Sequence, residues 1–234
     1  MSQVRLPRAF ESWFSGSKIA EPDGTPMIVY HGSAKGDPGE FHREGGLAGH
    51  WGDMWQAITK IEHDHEDGKV KNFKRAVLVP AYLAMKNPVR MTDVHFDDGG
   101  EMLEDLLERN ILTPTECESL GDDLSGFEGV ERVVALLGSK GYDGIVYDNR
   151  IEGEGDSYIP FSPEQIHRLP AVSATQDVLA IRGEAVFPAP PVLPLPPLSG
   201  LIPEPPDFVN SNEQMPGPTT HLPTFAGNRE QSIK

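Results

Sequence analysis

A short apolar run that leads into a histidine and a glycine is the feature that most constrains the fold. Residues 27–30 have the pattern of a buried strand, and His31 and Gly32 follow at once. More than a hundred residues later come two further apolar runs, residues 144–147 and 158–161, separated by a turn rich in Gly, Glu and Asp. Three short strands that can lie together, one delivering a histidine, indicate a site as well as a core.

Several other segments have the apolar spacing of helices. Phe10, Trp13 and Phe14 stand at positions i, i+3 and i+4, so their rings share one helical face and are expected in the core. Thr113 begins a capping box in which Pro114 opens the helix and Glu116 reaches back. The predicted helices are residues 8–15, a segment starting in 54–61, residues 101–110, a short helix from 113, and residues 130–137.

The strand pattern adds a hairpin and one longer strand. Residues 18–32 are predicted to fold back through a turn at Pro22-Asp23-Gly24, because proline presets φ and glycine permits a positive φ. Residues 76–85 are apolar and strand-like, and Pro80 within them points to an edge position or a bulge. Together with the helices, these strands predict a mixed α+β fold.

The composition changes sharply near residues 170–185. Twelve of the 22 prolines in this 234-residue chain fall after residue 180. Proline breaks helices and cannot donate to a sheet ladder, so polyproline II or disorder is expected there. The simplest partition is one folded domain over residues 1–170 and a proline-rich, disordered tail over 171–234, with a linker or a ligand for a partner as the alternatives.

The net charge of −16 limits the partners. Non-specific affinity for nucleic acid comes from Lys and Arg that neutralise phosphates, so a strongly acidic chain disfavours DNA and RNA as targets. The same acidity favours a basic protein partner.

One cysteine, Cys117, excludes an intrachain disulfide and a cysteine-based zinc site. The start of the chain lacks the apolar core of a signal peptide, and no segment has the roughly 18–20 apolar residues of a membrane span. The expected location is the cytosol. The run His63-Asp64-His65 is interpreted as solvated surface, because residues two apart on a helix face different ways, and no metal is predicted.

Several short motifs, taken in order, carry a resemblance to a known family. They are residues 10–19, His31-Gly32-Ser33, Gly49-His50-Trp51-Gly52, Lys86-Asn87-Pro88, residues 141–149 and residues 155–166. Over about residues 8–168, the chain resembles the ADP-ribosyltransferase fold of poly(ADP-ribose) polymerases and diphtheria-type toxins. It is most similar to the small bacterial and phage version found in polyvalent proteins.

The resemblance implies an α+β fold in which two small packed sheets form an NAD-binding cleft with helices at the flanks. It also implies NAD⁺ as the substrate. In this family a His-Gly corner holds NAD⁺, so His31 is expected to bond the ribose and the backbone of Gly32 the nicotinamide amide, with Ser33 beside them. Gln165 matches a frequent family position and is interpreted as structural. No Gly-x-Gly-x-x-Gly fingerprint follows a strand, which argues against a Rossmann dehydrogenase.

The resemblance further implies an aromatic ring stacked on the nicotinamide. His50 takes the place of the usual tyrosine, and Trp51 is adjacent. Either ring is a candidate for stacking, and the alternative is that Trp51 belongs to the core and His50 to the surface.

The family places a glutamate just before the position of Tyr158, where this chain has Ser157. We therefore hypothesise that an acid of the preceding turn, Glu152, Glu154 or Asp156, supplies the catalytic charge, with Ser157 and Tyr158 beside the NAD⁺. The alternative is an ordinary solvated acidic turn.

The predicted function is mono-ADP-ribosylation of a protein target by a phage-encoded or bacterial effector or toxin. Two alternatives stay open. The first is a catalytically silent module that binds NAD⁺ or a protein partner, and the second is an NAD⁺ glycohydrolase.

Overall fold

A computed structural model describes residues 7–43 and 45–174. Most of the predicted proline-rich tail lies outside the described residues. In chain order the elements are α1 (Arg8–Phe14), β1 (Val29–Ser33), α2 (Met54–Glu66), β2 (Val77–Leu83), β3 (Val89–Met91), α3 (Gly99–Glu108), α4 (Pro114–Glu118), α5 (Gly126–Ser139), β4 (Gly144–Asp148), β5 (Asp156–Pro160), a 3₁₀ turn (Pro163–Gln165), β6 (Ile166–Arg168) and β7 (Val172–Ser173).

The strands form two small sheets. In the first sheet, β2 lies between β1 on one side and β6 and β7 on the other, and all three pairings are antiparallel. In the second sheet, β4 lies between a parallel β3 and an antiparallel β5. The described part of the chain therefore has the two-sheet α+β architecture that the sequence predicted.

The segment after the glycine-rich loop joins the two sheets. Tyr30 of β1 exchanges both backbone hydrogen bonds with Gly52, at 2.8 and 3.0 Å. The neighbouring residue, Trp51, exchanges both of its backbone hydrogen bonds with Tyr158 of β5, at 2.9 and 2.7 Å. Residues 51–52 thus bridge the beginning of β1 to the middle of β5.

Each sheet is covered by helices that bury an apolar face. Helix α2 places Ile58 and Ile61 against Leu78 of β2. Helices α3 and α5 pack against the second sheet, where Met102 and Leu137 are fully buried. These faces follow the helical spacing of the apolar residues, so most of the core was predictable from the sequence.

Capping boxes set the beginnings of two helices. Asp53 accepts a hydrogen bond from the backbone of Gln56, whose side chain accepts one from the backbone of Asp53, and α2 begins between them. Thr113 and Glu116 make the same reciprocal pair at α4, with Pro114 at the first helical position, which confirms the sequence prediction.

The predicted hairpin over residues 18–32 is wrong in its first arm. Ala20 and Pro26 form one isolated bridge around the turn, and β1 pairs instead with β2. Strand β1 also continues to Ser33, so His31 lies within the strand and not after it. Pairing with β2 buries this apolar run more completely than a local hairpin could.

The expectation that Pro80 marks an edge or a bulge is also wrong, because β2 is the central strand of its sheet. Pro80 lies opposite Tyr30, whose backbone groups point away from it toward Gly52. The nitrogen of Pro80 therefore faces the other side, where β6 has ended at Arg168 and β7 begins only at Val172. A break in the partner strand removes the need for the missing N–H.

Gln165 joins the two sheets, as expected of a structural residue. Its amide donates to the carbonyls of Ala84, just after β2, and of Asp143, just before β4, at 3.3 and 2.8 Å. The sheet continues past residue 170, the predicted end of the domain, because β7 pairs with β2 and Ala174 is fully buried.

Among the described residues, no helix combines the length and the apolar character that a membrane crossing requires.

Candidate active site

The free edge of β1 carries the backbone of Gly32. In an antiparallel strand, alternate residues direct their backbone groups to opposite edges. Tyr30 points toward Gly52, so Gly32 points to the same edge, one step beyond the bridge. Continuing the antiparallel register of that bridge places Gly32 opposite His50. This is the backbone that the resemblance assigned to the nicotinamide amide.

Helix packing gives Gly32 a second reason to be glycine. A Cβ at this position would lie 2.0 Å from the backbone oxygen of Ala57 in α2. The sequence analysis assigned the backbone of this glycine to a ligand, and the structure adds the close approach of a helix. Because α2 covers this face of β1, there is no room for a side chain at position 32, whether or not a ligand binds.

His31 projects from the opposite face of β1. Its Nδ1 lies 2.9 Å from the carbonyl oxygen of His50, so Nδ1 carries the proton and Nε2 is left as an acceptor. The ring meets Phe41 edge-on, with centroids 5.0 Å apart. Burial lowers the pKa of His31, so the neutral form is favoured and Nε2 can accept a hydrogen bond from a hydroxyl.

His50 lines a cleft beside the second sheet, where the residue as a whole is exposed although protein surrounds its ring. Its Nδ1 lies 3.1 Å from the hydroxyl of Tyr147, and its ring meets Phe96 edge-on at 5.6 Å. The pKa of His50 is lowered, first because the surrounding protein shields the ring from bulk water and then because His31 lies nearby. A neutral ring at this position can lie against a cationic ligand without charge repulsion.

Trp51 does not face the cleft. Its ring is 1% exposed, and its indole N–H donates to the carbonyl of Ala48 at 3.2 Å. Of the two rings proposed for stacking, only that of His50 lines the cleft, and Trp51 belongs to the core. Successive side chains in this extended segment point to opposite sides, which separates the two rings. No local sequence signal distinguishes them.

A cleft of about 340 Å³ opens beside His50. Its lining includes His50, Phe96, Tyr147, Glu152, Asp93 and Asp97. Aromatic rings form the floor, and carboxylates from two separate loops lie at the sides. Asp93 and Asp97 come from the loop before α3, which the sequence did not single out.

The three candidate acids have different surroundings. Glu152 lines the cleft, and its carboxylate lies near enough to the Tyr147 hydroxyl to raise the pKa of that tyrosine further, beyond the larger effect of burial. Asp156 begins β5, and both of its oxygens accept hydrogen bonds from the Arg90 guanidinium, at 2.6 and 2.8 Å. Glu154 is exposed on the turn. The cleft therefore selects Glu152 among the three.

Ser157 is 2% exposed and belongs to a buried polar network. Its hydroxyl donates to Oε1 of Gln56 at 3.1 Å and accepts from the amide of Asn149 at 2.9 Å. The Gln56 amide also donates to the Gly155 carbonyl at 3.3 Å. Ser157 thus holds the turn between β4 and β5 from behind Tyr147, its cross-strand partner, and is not among the residues that line the cleft. The sequence missed Gln56 and Asn149, although the capping box at Asp53 was a readable signal for Gln56.

Two further predicted residues take supporting positions. The Ser33 hydroxyl donates to the carbonyl of Gly36 at 2.6 Å and closes the turn after β1. Tyr158 is half-buried beside the bridge, and burial, followed by the nearby Asp156 carboxylate, raises its pKa to about 12. Within the described ranges, no group of three or more His, Cys, Asp or Glu side chains could hold a metal ion.

Two small sheets joined at residues 51–52, with helices at their flanks, agree with the ADP-ribosyltransferase fold that the resemblance implied. The chain matches the model of the family described as ADP-ribosyltransferase in polyvalent proteins over residues 21–175. The match spans more than half of the chain, so the protein belongs to this family, whose domains generally use NAD⁺ as the substrate. No curated protein and no solved structure matches the chain.

Proposed function

We propose that this protein is a mono-ADP-ribosyltransferase that moves ADP-ribose from NAD⁺ to a protein side chain, as an effector of a phage or bacterium. The observation that supports the proposal is that His50 and Glu152 line one cleft, while the register of the bridge between Tyr30 and Gly52 places the backbone of Gly32 opposite His50. NAD⁺ carries a carboxamide, a cationic ring and a ribose, and these match the three groups.

The arrangement suits the cleavage of the bond between nicotinamide and ribose. The backbone of Gly32 offers a donor and an acceptor, which are the partners that a carboxamide needs. Nε2 of His31 accepts a hydrogen bond, which is the partner that a ribose hydroxyl needs. Together they orient the substrate before any bond breaks.

Glu152 supplies the electrostatic part of the reaction. The ribose becomes more positive as the nicotinamide leaves with the bonding electron pair, and a carboxylate in a partly dry cleft stabilises that charge more strongly than water does. The acceptor side chain then bonds the ribose carbon, and its proton passes to Glu152 or to water. The neutral His31 and His50 rings do not oppose this charge.

One observation favours a second function. Ser157, which stands where the family has glutamate, is buried and has both hydrogen bonds satisfied inside the protein. If Glu152 does not replace the missing carboxylate, the protein is a catalytically silent module that binds NAD⁺ or a partner.

The test is to incubate the purified protein with NAD⁺ labelled on the adenylate side and a bacterial lysate, beside the Glu152→Gln and Glu154→Gln variants. The proposal expects labelled protein bands that are lost with Glu152→Gln and kept with Glu154→Gln. Consumption of NAD⁺ without labelled protein indicates a glycohydrolase, and an intact NAD⁺ pool indicates the silent module.

A further inference from the structure

We propose that Arg168 binds the diphosphate of NAD⁺ and that the Asp37 carboxylate competes with the diphosphate for this guanidinium. The inference rests on the proposed function, which places a ribose hydroxyl of NAD⁺ on His31. It adds a binding residue outside the cleft beside His50, and the binding that it requires is measured without any cleavage of NAD⁺.

Arg168 lies on the face of the first sheet from which His31 projects. Arg168 of β6 pairs with Ala81 of β2, and Ala81 pairs with Val29 of β1. Val29 is two residues before His31, and both paired residues and residues two apart in a strand point to the same face. The guanidinium carbon of Arg168 lies 5.6 Å from the centroid of the Phe41 ring, and the same ring lies 5.0 Å from that of His31. A ligand held at His31 therefore has Arg168 on its side of the sheet.

The protein uses only half of one edge of the Arg168 guanidinium. Nη2 donates to Oδ1 of Asp37 at 2.6 Å. Nε lies on the same edge, is buried, and has no hydrogen-bond partner among the described residues. A buried N–H of a charged group without a partner is unfavourable, so this edge is suited to a further acceptor oxygen.

A diphosphate has the geometry that this edge requires. Nε and Nη2 of an arginine form a rigid fork that binds two oxygens of one anion side by side, and phosphate oxygens match it. Asp37 meets the fork with one oxygen, which also accepts the backbone N–H of Gly39 at 2.8 Å. The diphosphate of NAD⁺ offers several oxygens and two negative charges, so it can satisfy both donors.

The charges near His31 also favour Arg168. Beyond the larger effect of burial, the charges of Lys60 and Arg168 both lower the pKa of His31, so both lie near it. Lys60 belongs to α2, which covers the other face of β1, and pairs with Asp64 at 2.6 Å. Asp37 is 45% exposed and belongs to the loop after β1, so its carboxylate can return to water when an anion replaces it. In a chain with a net charge of −16, a dianion needs such a local cation.

The covalent order of NAD⁺ agrees with this position. The nicotinamide ribose is joined to the diphosphate through its 5′ carbon, so the diphosphate follows the ribose directly. With the carboxamide at the edge of β1 and a ribose hydroxyl at His31, the diphosphate extends over the sheet toward β2 and β6. Phe41 lies between His31 and Arg168, on the loop that the pair of Asp37 and Arg168 fastens to the sheet. Exchange of Asp37 for the diphosphate therefore also releases this loop.

The test is calorimetric titration of the purified full-length protein with ADP-ribose, which carries the diphosphate, and with adenosine, which does not. We expect Arg168→Gln to weaken ADP-ribose binding about tenfold or more, the effect of losing charge-assisted hydrogen bonds. Asp37→Asn should tighten ADP-ribose binding about two- to fivefold, because it removes a competing ion pair of the modest strength found at exposed sites. Adenosine binding should stay unchanged in both variants.

The opposite signs separate this inference from a structural role of the ion pair. If the pair only held the loop in place, both variants would weaken binding. In the double variant, Asp37→Asn should have no further effect, since the guanidinium for which Asp37 competes is gone. Arg8→Gln is the matched control, because Arg8 is an exposed cation of α1, which packs on the other face of the sheet, and it should leave binding unchanged.

Weaker or unchanged ADP-ribose binding in Asp37→Asn overturns the inference, and so does an equal loss of ADP-ribose and adenosine binding in Arg168→Gln. A wild-type protein that does not bind ADP-ribose overturns it as well. If Arg168→Gln does not fold, as judged by urea denaturation, the sign of the Asp37→Asn effect decides. Cleavage of NAD⁺ decides the proposed function separately: a protein that binds ADP-ribose with these two signs and leaves NAD⁺ intact supports the inference and contradicts the transferase.

Discussion

Glu152 is the acid whose position fits catalysis, because it lines the cleft with His50 while Asp156 is held by Arg90. Exchange of a carboxylate for an amide of the same shape removes the charge and leaves the packing in place. Substitutions of single acids by their amides therefore test the proposed site most directly.

We expect Glu152→Gln to slow NAD⁺ cleavage by about 10²- to 10³-fold, the usual effect of removing one electrostatic stabiliser of a transition state. The measurement is the initial rate of nicotinamide release at saturating NAD⁺. Glu154→Gln should change this rate less than about twofold, since Glu154 is an exposed side chain outside the cleft lining. A wild-type rate in Glu152→Gln contradicts the assignment.

Gly32 is expected to tolerate no side chain. In Gly32→Ala the new Cβ would meet the backbone oxygen of Ala57 at 2.0 Å, so α2 must move away from β1. The free energy of unfolding, measured by urea denaturation, should fall by about 3 kcal/mol or more. Gly138→Ala is the control, because nothing lies within 4 Å of a Cβ at that helical position. It should be neutral or stabilising by up to about 1 kcal/mol.

His50 makes stability depend on pH in a defined window. Its pKa falls from 6.5 to about 4 on folding, so between these values the unfolded chain binds the proton and the folded protein does not. The free energy of unfolding therefore decreases as the pH falls from about 6.5 toward 4. His50→Asn should make this decrease shallower in urea denaturation at a series of pH values.

His95 provides the opposite sign. The Glu101 carboxylate raises its pKa, so its contribution to stability is present below pH 6.5 and is lost as the pH rises through the higher folded value. His95→Asn should therefore lower the free energy of unfolding below pH 6.5 and have little effect at pH values above the folded pKa. If His50→Asn leaves the slope between pH 6.5 and 4 unchanged, the ring titrates as it does in the unfolded chain.

At the scale of elements, the turn between β4 and β5 is held from two sides. Gln56 of α2 contacts Ser157 and Gly155 on one side, and Arg90 of β3 binds Asp156 on the other. This turn carries Glu152, whose backbone N–H donates to the side chain of Asn149 at 2.9 Å. The position of the acid is therefore decided by three separate elements.

We expect Gln56→Ala to lower both the free energy of unfolding and the rate of NAD⁺ cleavage. The change leaves a buried hydroxyl and the Asp53 backbone N–H without one of their partners, which costs about 1–3 kcal/mol. A double-mutant cycle with Ser157→Ala measures the coupling, expected at about 0.5 kcal/mol or more because the two side chains are in contact. Strict additivity contradicts the network.

At the scale of the whole molecule, the last described strand lies close to where the family match ends. Ala174 donates its backbone N–H to the carbonyl of Ala76 at 2.9 Å, and the match ends at residue 175. The proline-rich stretch begins soon afterwards. These limits suggest where a shortened chain should still fold.

We expect a protein ending at residue 180 to keep the urea denaturation midpoint of the full chain, within about 0.5 kcal/mol of unfolding free energy, because proline-rich sequence contributes no ladder hydrogen bonds. Binding to a partner of the tail should be lost in the same variant. A clear loss of stability on truncation contradicts the predicted partition at residues 170–171.

Much of the architecture was readable in the sequence. The apolar spacing of α3 and α5, the capping box at Thr113 and the strand runs that became β4 and β5 are local patterns with local causes. Which strands pair with each other could not be predicted from local sequence. β1 pairs with β2 and not with its neighbour in sequence, and Pro80 fits a central strand because the strand on its other side is interrupted.

The sequence by itself determined the two-sheet α+β class, the family, and a set of candidate residues around His31, His50 and the acidic turn. Only the tertiary structure decided their positions: it buried Trp51 and Ser157, bound Asp156 to Arg90, and brought Glu152 and Asp97 to one cleft. The physical reason is that side-chain period and capping are properties of consecutive residues. Burial and charge pairing depend on contacts between residues far apart in the chain, which form only when the sheets pack.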